Sequence, residues 1–166
     1  LHNDEANPYG VVSAQYAPMV AKLIDQHEVS ELLDYGAGSR LTLIKTIADQ
    51  RLVSRKFDYR AYEPAVEMYA KTPEPAEMVA CIDVLEHIEP ECLDAVLDDL
   101  KRLTKRIGLF TVSTVPAGKT LADGRNAHLI QEPPEWWLPK ITDRFTLQTF
   151  QRNRGGFIVL VSPLEP

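Results

Sequence analysis

The chain has 166 residues, 45% of them apolar and 25% charged, with a net charge of −6. That length can bury a core as one domain, the composition is that of an ordinary globular protein, and the acidic balance argues against a general nucleic-acid binder, which carries a basic patch or stripe. No apolar run approaches the roughly 18 residues of a membrane span and no secretory leader is visible. Cys81 and Cys92 lack metal-ligand spacing, so a reduced cytoplasmic setting is expected.

Residues 1–16 are polar and irregular, with a turn at Pro8-Tyr9-Gly10. Met19, Val20, Leu23 and Ile24 form one apolar stripe and predict a helix over Ala17–Gln26, so that residues 1–28 make an N-terminal cap on the domain. Leu32–Tyr35 then reads as a buried strand. Gly36 and Gly38 follow at once, and Leu43, Ile44, Ile47 and Ala48 set a helix over Leu41–Leu52. Phe57–Tyr62 alternates as a second strand and ends in Glu63-Pro64; a short helix is expected over Ala65–Lys71. Thr72-Pro73-Glu74-Pro75 leads straight into the apolar run Met78–Ile82, which ends in Asp83. Leu93, Val96, Leu97, Leu100 and Leu103 recur at helical spacing within Glu91–Thr104, and Ile107–Thr114 is apolar or β-branched, as a strand buried on both faces should be. A long polar loop runs from Pro116 to Pro134. A short helix then reaches Ile141, and Phe145–Gln151 and Phe157–Ser162 flank the hairpin signal Asn153-Arg154-Gly155-Gly156.

Strands alternating with helices predict an α/β, Rossmann-like doubly wound sheet, mostly parallel, with an antiparallel hairpin at its C-terminal end. In such sheets ligands bind outside the carboxyl ends of the strands. The stretch Glu31–Ser39, E-L-L-D-Y-G-A-G-S, is strand, glycine turn and helix start in the nucleotide-binding order. Its glycines let the backbone turn sharply and let a ligand approach where a Cβ would stand. Glu63, at the end of the second strand and a little beyond the roughly 20-residue offset expected after the glycines, is placed to accept from both hydroxyls of a ribose.

Two motifs carry a resemblance to the class I S-adenosylmethionine (SAM) dependent methyltransferases. Asp34-Tyr35-Gly36-Ala37-Gly38 resembles their first motif, an acid followed by G-x-G-x-G, with Arg40 where the third glycine would fall. Asp83-Val84-Leu85-Glu86-His87-Ile88 resembles the segment after their fourth strand. The likeness spans residues 30–115. It implies SAM as cofactor, held by Asp34, Gly36, Ala37, Gly38, Glu63, Pro64, Asp83 and Val84, and an N-terminal tyrosine, Tyr9 or Tyr16, closing over it. One departure is clear. Between Glu63 and Met78 there is no room for the family's third strand, so that strand is expected to be shortened or absent, and the adenine-contacting acid after it has no counterpart.

Methyl transfer from a sulfonium is an in-line displacement that depends on positioning, with a base where the acceptor is a hydroxyl or protonated amine. His87 and His128 are the candidates. His87 reads equally as a structural histidine of its motif. Trp136 and Trp137 are open to a core, lid or acceptor-stacking role, with core expected for at least one. Asp83, Glu86 and His87, with His128 downstream, also resemble the acid-x-x-Glu-His and distant His of small-RNA 3′-terminal 2′-O-methyltransferases. That likeness implies a divalent metal on Glu86, His87 and His128, a ligand set the residue types permit, but Asp83 stands in place of a glutamate and the metal is not favoured. The expected acceptor is an oxygen of a small-molecule or glycan-like compound, with a nucleic-acid end or a non-catalytic SAM-binding or interaction domain as alternatives. The oligomeric state is not legible.

Overall fold

A computed structural model describes residues 12–164; the turn at Pro8-Tyr9-Gly10, and Tyr9 with it, lie outside the described residues. The strand before the glycine turn, β1 (Glu31–Tyr35), is buried from Leu32 onward and therefore sits inside a sheet. Its neighbours are β2 (Asp58–Tyr62) and β3 (Ala76–Ile82), both parallel to it. β4 (Thr104–Ser113) continues the parallel set, and β5 (Phe145–Asn153) and β6 (Gly156–Pro163) close the sheet antiparallel, giving the order β2-β1-β3-β4-β6-β5. The mostly parallel sheet, the pairing of the Asp83 strand with the Asp34 strand and the antiparallel hairpin all match the expectation. Because β1, β2 and β3 run the same way, Asp34, Glu63 and Asp83 lie at one carboxyl edge.

The two faces follow from strand alternation. Leu32, Met78, Ala80 and Ile82 pack with α1 (Ser13–Gln26) and α2 (Thr42–Asp49). Leu33, Tyr35, Val79 and Cys81 face α3 (Leu93–Leu103) and α4 (Pro134–Thr142). A Ser13 to Thr42 hydroxyl bond of 2.6 Å ties α1 to α2. Among the described residues no helix is long and apolar enough to cross a membrane.

Four expectations shift. α1 begins at Ser13 rather than Ala17, inside the stretch expected to be irregular. α2 ends at Asp49 rather than Leu52. β4 begins at Thr104, because Thr104 pairs with Ala76 while its hydroxyl donates to Leu100 O at 2.8 Å, so helix passes directly into strand. The helix expected over Ala65–Lys71 is only a 3-10 turn at Glu67–Tyr69, none of it buried. With no apolar face to bury, so short a segment does not offset the cost of nucleating a helix.

The missing third strand leaves β2 at the edge of the sheet. Arg60 on β2 donates to the carbonyls of Glu74 (3.1 Å) and Pro75 (3.0 Å), and Arg102 on α3 donates to that of Pro73 (3.3 Å). The irregular return from β2 to β3 is thus held by two guanidinium groups where a longer chain would use a strand and helix.

Candidate functional site

The site begins at the glycine turn. Gly36 has φ +81° and Gly38 φ +66°, the left-handed region that glycine enters without penalty. The N–H groups of Gly36 and Ala37 donate to Tyr62 O at 2.8 and 3.1 Å, which locks the turn to the end of β2. A Cβ at Gly36 would stand 2.4 Å from Val84 Cγ2, so the turn also packs against the second motif. The missing third glycine has a local explanation. Arg40 is exposed and takes no left-handed conformation; Leu41, one residue on, takes φ +50° before α2 begins.

A cavity of about 550 Å³ opens between this turn, Glu63–Ala65 and the segment after β3. Gly36, Gly38, Glu63, Pro64, Asp83 and Val84 line it, and so does His87. Two residues of the expected set do not. Ala37 is buried within the turn, and Asp34 is 2% exposed beneath it, accepting from Tyr59 Oη at 2.9 Å. Burial pushes the Asp34 carboxyl up to about 7, against the lowering effect of the Tyr59 bond. The Glu63 carboxylate accepts from Gly38 N at 3.2 Å and Ala65 N at 3.1 Å, and so stands over the glycine turn. Sequence reasoning missed the far wall: Tyr35, Tyr62, Ile88 and Val96. The Tyr35 and Tyr62 rings pack at a tilt of 55° with centroids 4.9 Å apart, and Tyr35 Oη donates to Asp99 of α3 at 3.3 Å. No local pattern marks these residues, because β1, β2, the segment after β3 and α3 bring them together.

The second motif places a polar cluster beside this cavity. Asp83 takes φ +51°, a strained value for a non-glycine residue and a common mark of functional sites. Its N–H donates to Thr111 Oγ1 at 3.0 Å, and the Thr111 hydroxyl donates in turn to the Asp83 carboxylate. Glu86 is fully buried. Its Oε1 accepts from Ser113 N at 3.0 Å, while its Oε2 has no partner. Burial first, and then the charge of Asp83, push the Glu86 carboxyl up to about 8. An orphaned buried carboxylate oxygen is costly and calls for an explanation.

His87 and His128 supply one. His87 Nδ1 donates to Ala127 O at 2.8 Å and His128 Nδ1 to Val115 O at 2.6 Å. In the neutral rings each lone pair then lies on Nε2, the tautomer that accepts a proton or a metal ion. The rings meet edge to face at 4.7 Å, and one ligand atom from each of Glu86, His87 and His128 lies within 4.8 Å of the others. The sequence had named these three residues for a metal; the fold brings them together.

The loop from Pro116 to Pro134 delivers His128. Asn126 Oδ1 accepts from the N–H groups of Ala117 and His128, both at 2.9 Å, and Ile130 N donates to Glu86 O at 3.0 Å. Arg125 makes a two-pronged pair with Glu89, both contacts 2.8 Å, and bonds Asp123. Asp123, Arg125 and Asn126 therefore brace the loop; neither they nor His128 line the cavities of the site, although Val115, to which His128 is bonded, lines the smaller. Trp137 is fully buried, its Nε1 donating to Glu132 O at 3.1 Å, and Trp136 packs on it edge to face at 5.2 Å under Lys140.

A second cavity, about 320 Å³, lies on the other side of Asp83. Tyr16 of α1 lines this one rather than the larger, together with Ser113, Val115 and the β5–β6 turn.

No family model and no curated protein matches this chain. Solved structures do. Mitomycin 7-O-methyltransferase MmcR is similar over 93% of this chain and 55% of its own, at 15% identity and a TM-score of 0.66, so the chain spans about half of that protein. The Burkholderia thailandensis 1,6-didemethyltoxoflavin-N1-methyltransferase, solved with its substrate and S-adenosylhomocysteine, is similar over 98% of this chain and 80% of its own, at 16% identity and 0.61. Magnesium protoporphyrin IX methyltransferase ChlM from Synechocystis PCC 6803, with bound S-adenosylhomocysteine, is similar over 92% and 84%, at 16% identity and 0.60. The chain has the Rossmann-like fold of the class I SAM-dependent methyltransferases.

Proposed function

We propose that the chain binds SAM in the larger cavity and transfers its methyl group to an oxygen of a small-molecule acceptor. The observation that carries this reading is the Glu63 carboxylate, poised over the Gly38 N–H at the carboxyl edge of the sheet and next to the Glu86–His87–His128 cluster. Glu63 accepts from the ribose hydroxyls, exchanging its bonds to backbone N–H groups for them. Gly36 and Gly38 give the cofactor's amino-acid end close access to the backbone, and Tyr62, Val84 and Ile88 shield the nucleoside from water. The adenine side rests on these apolar residues rather than on an acid from a third strand. His128, its ring oriented by Val115 O, accepts the acceptor's proton at Nε2 as the methyl group moves.

The cluster favours a second form of the same reading, in which a divalent ion assists. One ligand atom from each of the two imidazoles and the Glu86 carboxylate, all within 4.8 Å of one another, fit such an ion as donors. When bound, it would lower the pKa of an acceptor hydroxyl. An RNA end as acceptor gains no support from the neighbours above, whose names give small molecules, nor from the net charge of −6.

Calorimetric titration with SAM and S-adenosylhomocysteine tests the proposal and separates it from a partner-binding domain that holds neither. Both should bind the parent protein. Glu63→Ala should weaken binding by on the order of 1–3 kcal/mol, the range for a lost charged hydrogen-bond partner. Equal affinity in Glu63→Ala would remove this residue from the cofactor site. The acceptor is then sought as a 14-dalton gain in metabolite pools incubated with SAM.

A further inference from the structure

The smaller cavity has a composition of its own. Asp83 is the residue it shares with the larger one, so a molecule within it would lie against the same acid that the proposed cofactor meets from the other side. Its floor is the end of β4, where Ser113 N is held by the buried Glu86 carboxylate. One wall carries the Tyr16 hydroxyl, and the opposite wall is the turn Asn153-Arg154-Gly155-Gly156.

That turn is rigidly placed. Gly155 has φ +94°, and its carbonyl accepts from Thr114 N at 2.9 Å. A Cβ on Gly156 would fall 2.2 Å from Val112 O, so the turn lies directly on β4. Arg154 is therefore carried at a fixed point on the rim. It differs from several other arginines of the chain. Arg125, Arg144 and Arg152 each make ion pairs at the surface. Arg154 has no hydrogen-bond or ion-pair partner among the described residues and is exposed where it lines the cavity. The net charge of −6 gives the chain acids to spare for pairing, yet none of the described ones pairs with Arg154.

We propose that this second cavity is the acceptor cleft, that Arg154 binds an anionic group of the acceptor, and that the acceptor is a small, hydroxyl-bearing carboxylate or phosphate compound. The inference rests on the methyl-transfer reading and extends it to the substrate class. A guanidinium presents a planar fork that matches either anion. The volume, about 320 Å³, is at the lower end for small-molecule sites and suits a compound with one ring. With the anion on the rim, the body of the acceptor reaches inward to Asp83, Tyr16 and Asn153, a polar set suited to hydroxyl groups.

The test follows the backbone amides of Gly155 and Gly156 and the Nε–H of Arg154 by ¹H–¹⁵N NMR, with the protein first free and then saturated with S-adenosylhomocysteine. The probes are ribose 5-phosphate, gluconate and, as the uncharged control, ribose. Ribose 5-phosphate or gluconate should shift these signals with an affinity at least tenfold tighter than ribose. Whichever anion binds tighter distinguishes a phosphate from a carboxylate acceptor. Arg154→Gln should abolish that tenfold difference while leaving S-adenosylhomocysteine affinity unchanged. Equal binding of charged and uncharged probes, or an unchanged preference in Arg154→Gln, overturns the proposal. Failure of S-adenosylhomocysteine to bind overturns the methyl-transfer reading instead, and the cleft is then judged from the titrations of the free protein.

Discussion

Glu86→Gln isolates a fully buried carboxylate that has an unpartnered oxygen among the described residues. In the folded protein burial and Asp83 raise the Glu86 carboxyl from 4.5 to about 8. The folded state therefore keeps its proton between those values while the unfolded chain has lost it. Stability is fully present below pH 4.5 and is lost as pH rises through about 8. Each unit is worth about 1.36 kcal/mol, so the whole interval amounts to about 5 kcal/mol as a ceiling, and about 3 kcal/mol of that falls between pH 6 and 8. Glutamine preserves the shape and keeps an oxygen for Ser113 N, but it does not titrate. The stability of Glu86→Gln relative to the parent should therefore rise by up to about 3 kcal/mol from pH 6 to 8. The assay is urea unfolding of both proteins at each pH in the presence of a chelator. Asp34, also raised, to about 7, titrates in both proteins and largely cancels in the difference. If a divalent ion binds the cluster, Mn²⁺ should restore the parent's stability at pH 8 and leave Glu86→Gln unaffected. A stability difference that stays flat from pH 6 to 9 would refute the account of this carboxylate.

Two further outcomes bear on the proposed chemistry. Gly36→Ala places a Cβ 2.4 Å from Val84 Cγ2 at φ +81°, and should lower SAM affinity at least tenfold by calorimetry; Val84→Ala in the same protein should recover part of that loss, because the clash is with its side chain. His128→Ala should cut turnover on the true acceptor by roughly two to four decades, as for a positioned acid–base group; chelator treatment of the parent should match it only where an ion is held, with added Mg²⁺ or Mn²⁺ restoring the rate, and near-normal turnover would exclude His128 from the mechanism.

The succession of strands along the chain, the glycine turn, the acid after β2 and the absence of a third strand were legible in the residues alone, since each is written in local composition and spacing. Leu32–Tyr35 is apolar enough only for a strand inside a sheet, and four residues of proline and polar turn before Ala76 leave no length for another. The resemblance of the second motif also named Glu86, His87 and His128 as donors for a metal that the sequence did not favour. The sequence overread Ala65–Lys71 as a helix, and it grouped Asp34 with residues that line the larger cavity. Local pattern cannot tell an acid that lines a cavity from one sealed 2% exposed beneath the turn, as Asp34 is. Folding was needed to show that Asp123 and Arg125 are a brace, that Tyr16 faces the smaller cavity, and that Arg154 on its rim has no partner among the described residues. Those facts depend on which elements meet: α1, the end of β3 and the β5–β6 turn are far apart in the chain. They converge because parallel strands align their carboxyl ends while the antiparallel hairpin folds its turn back to the same edge.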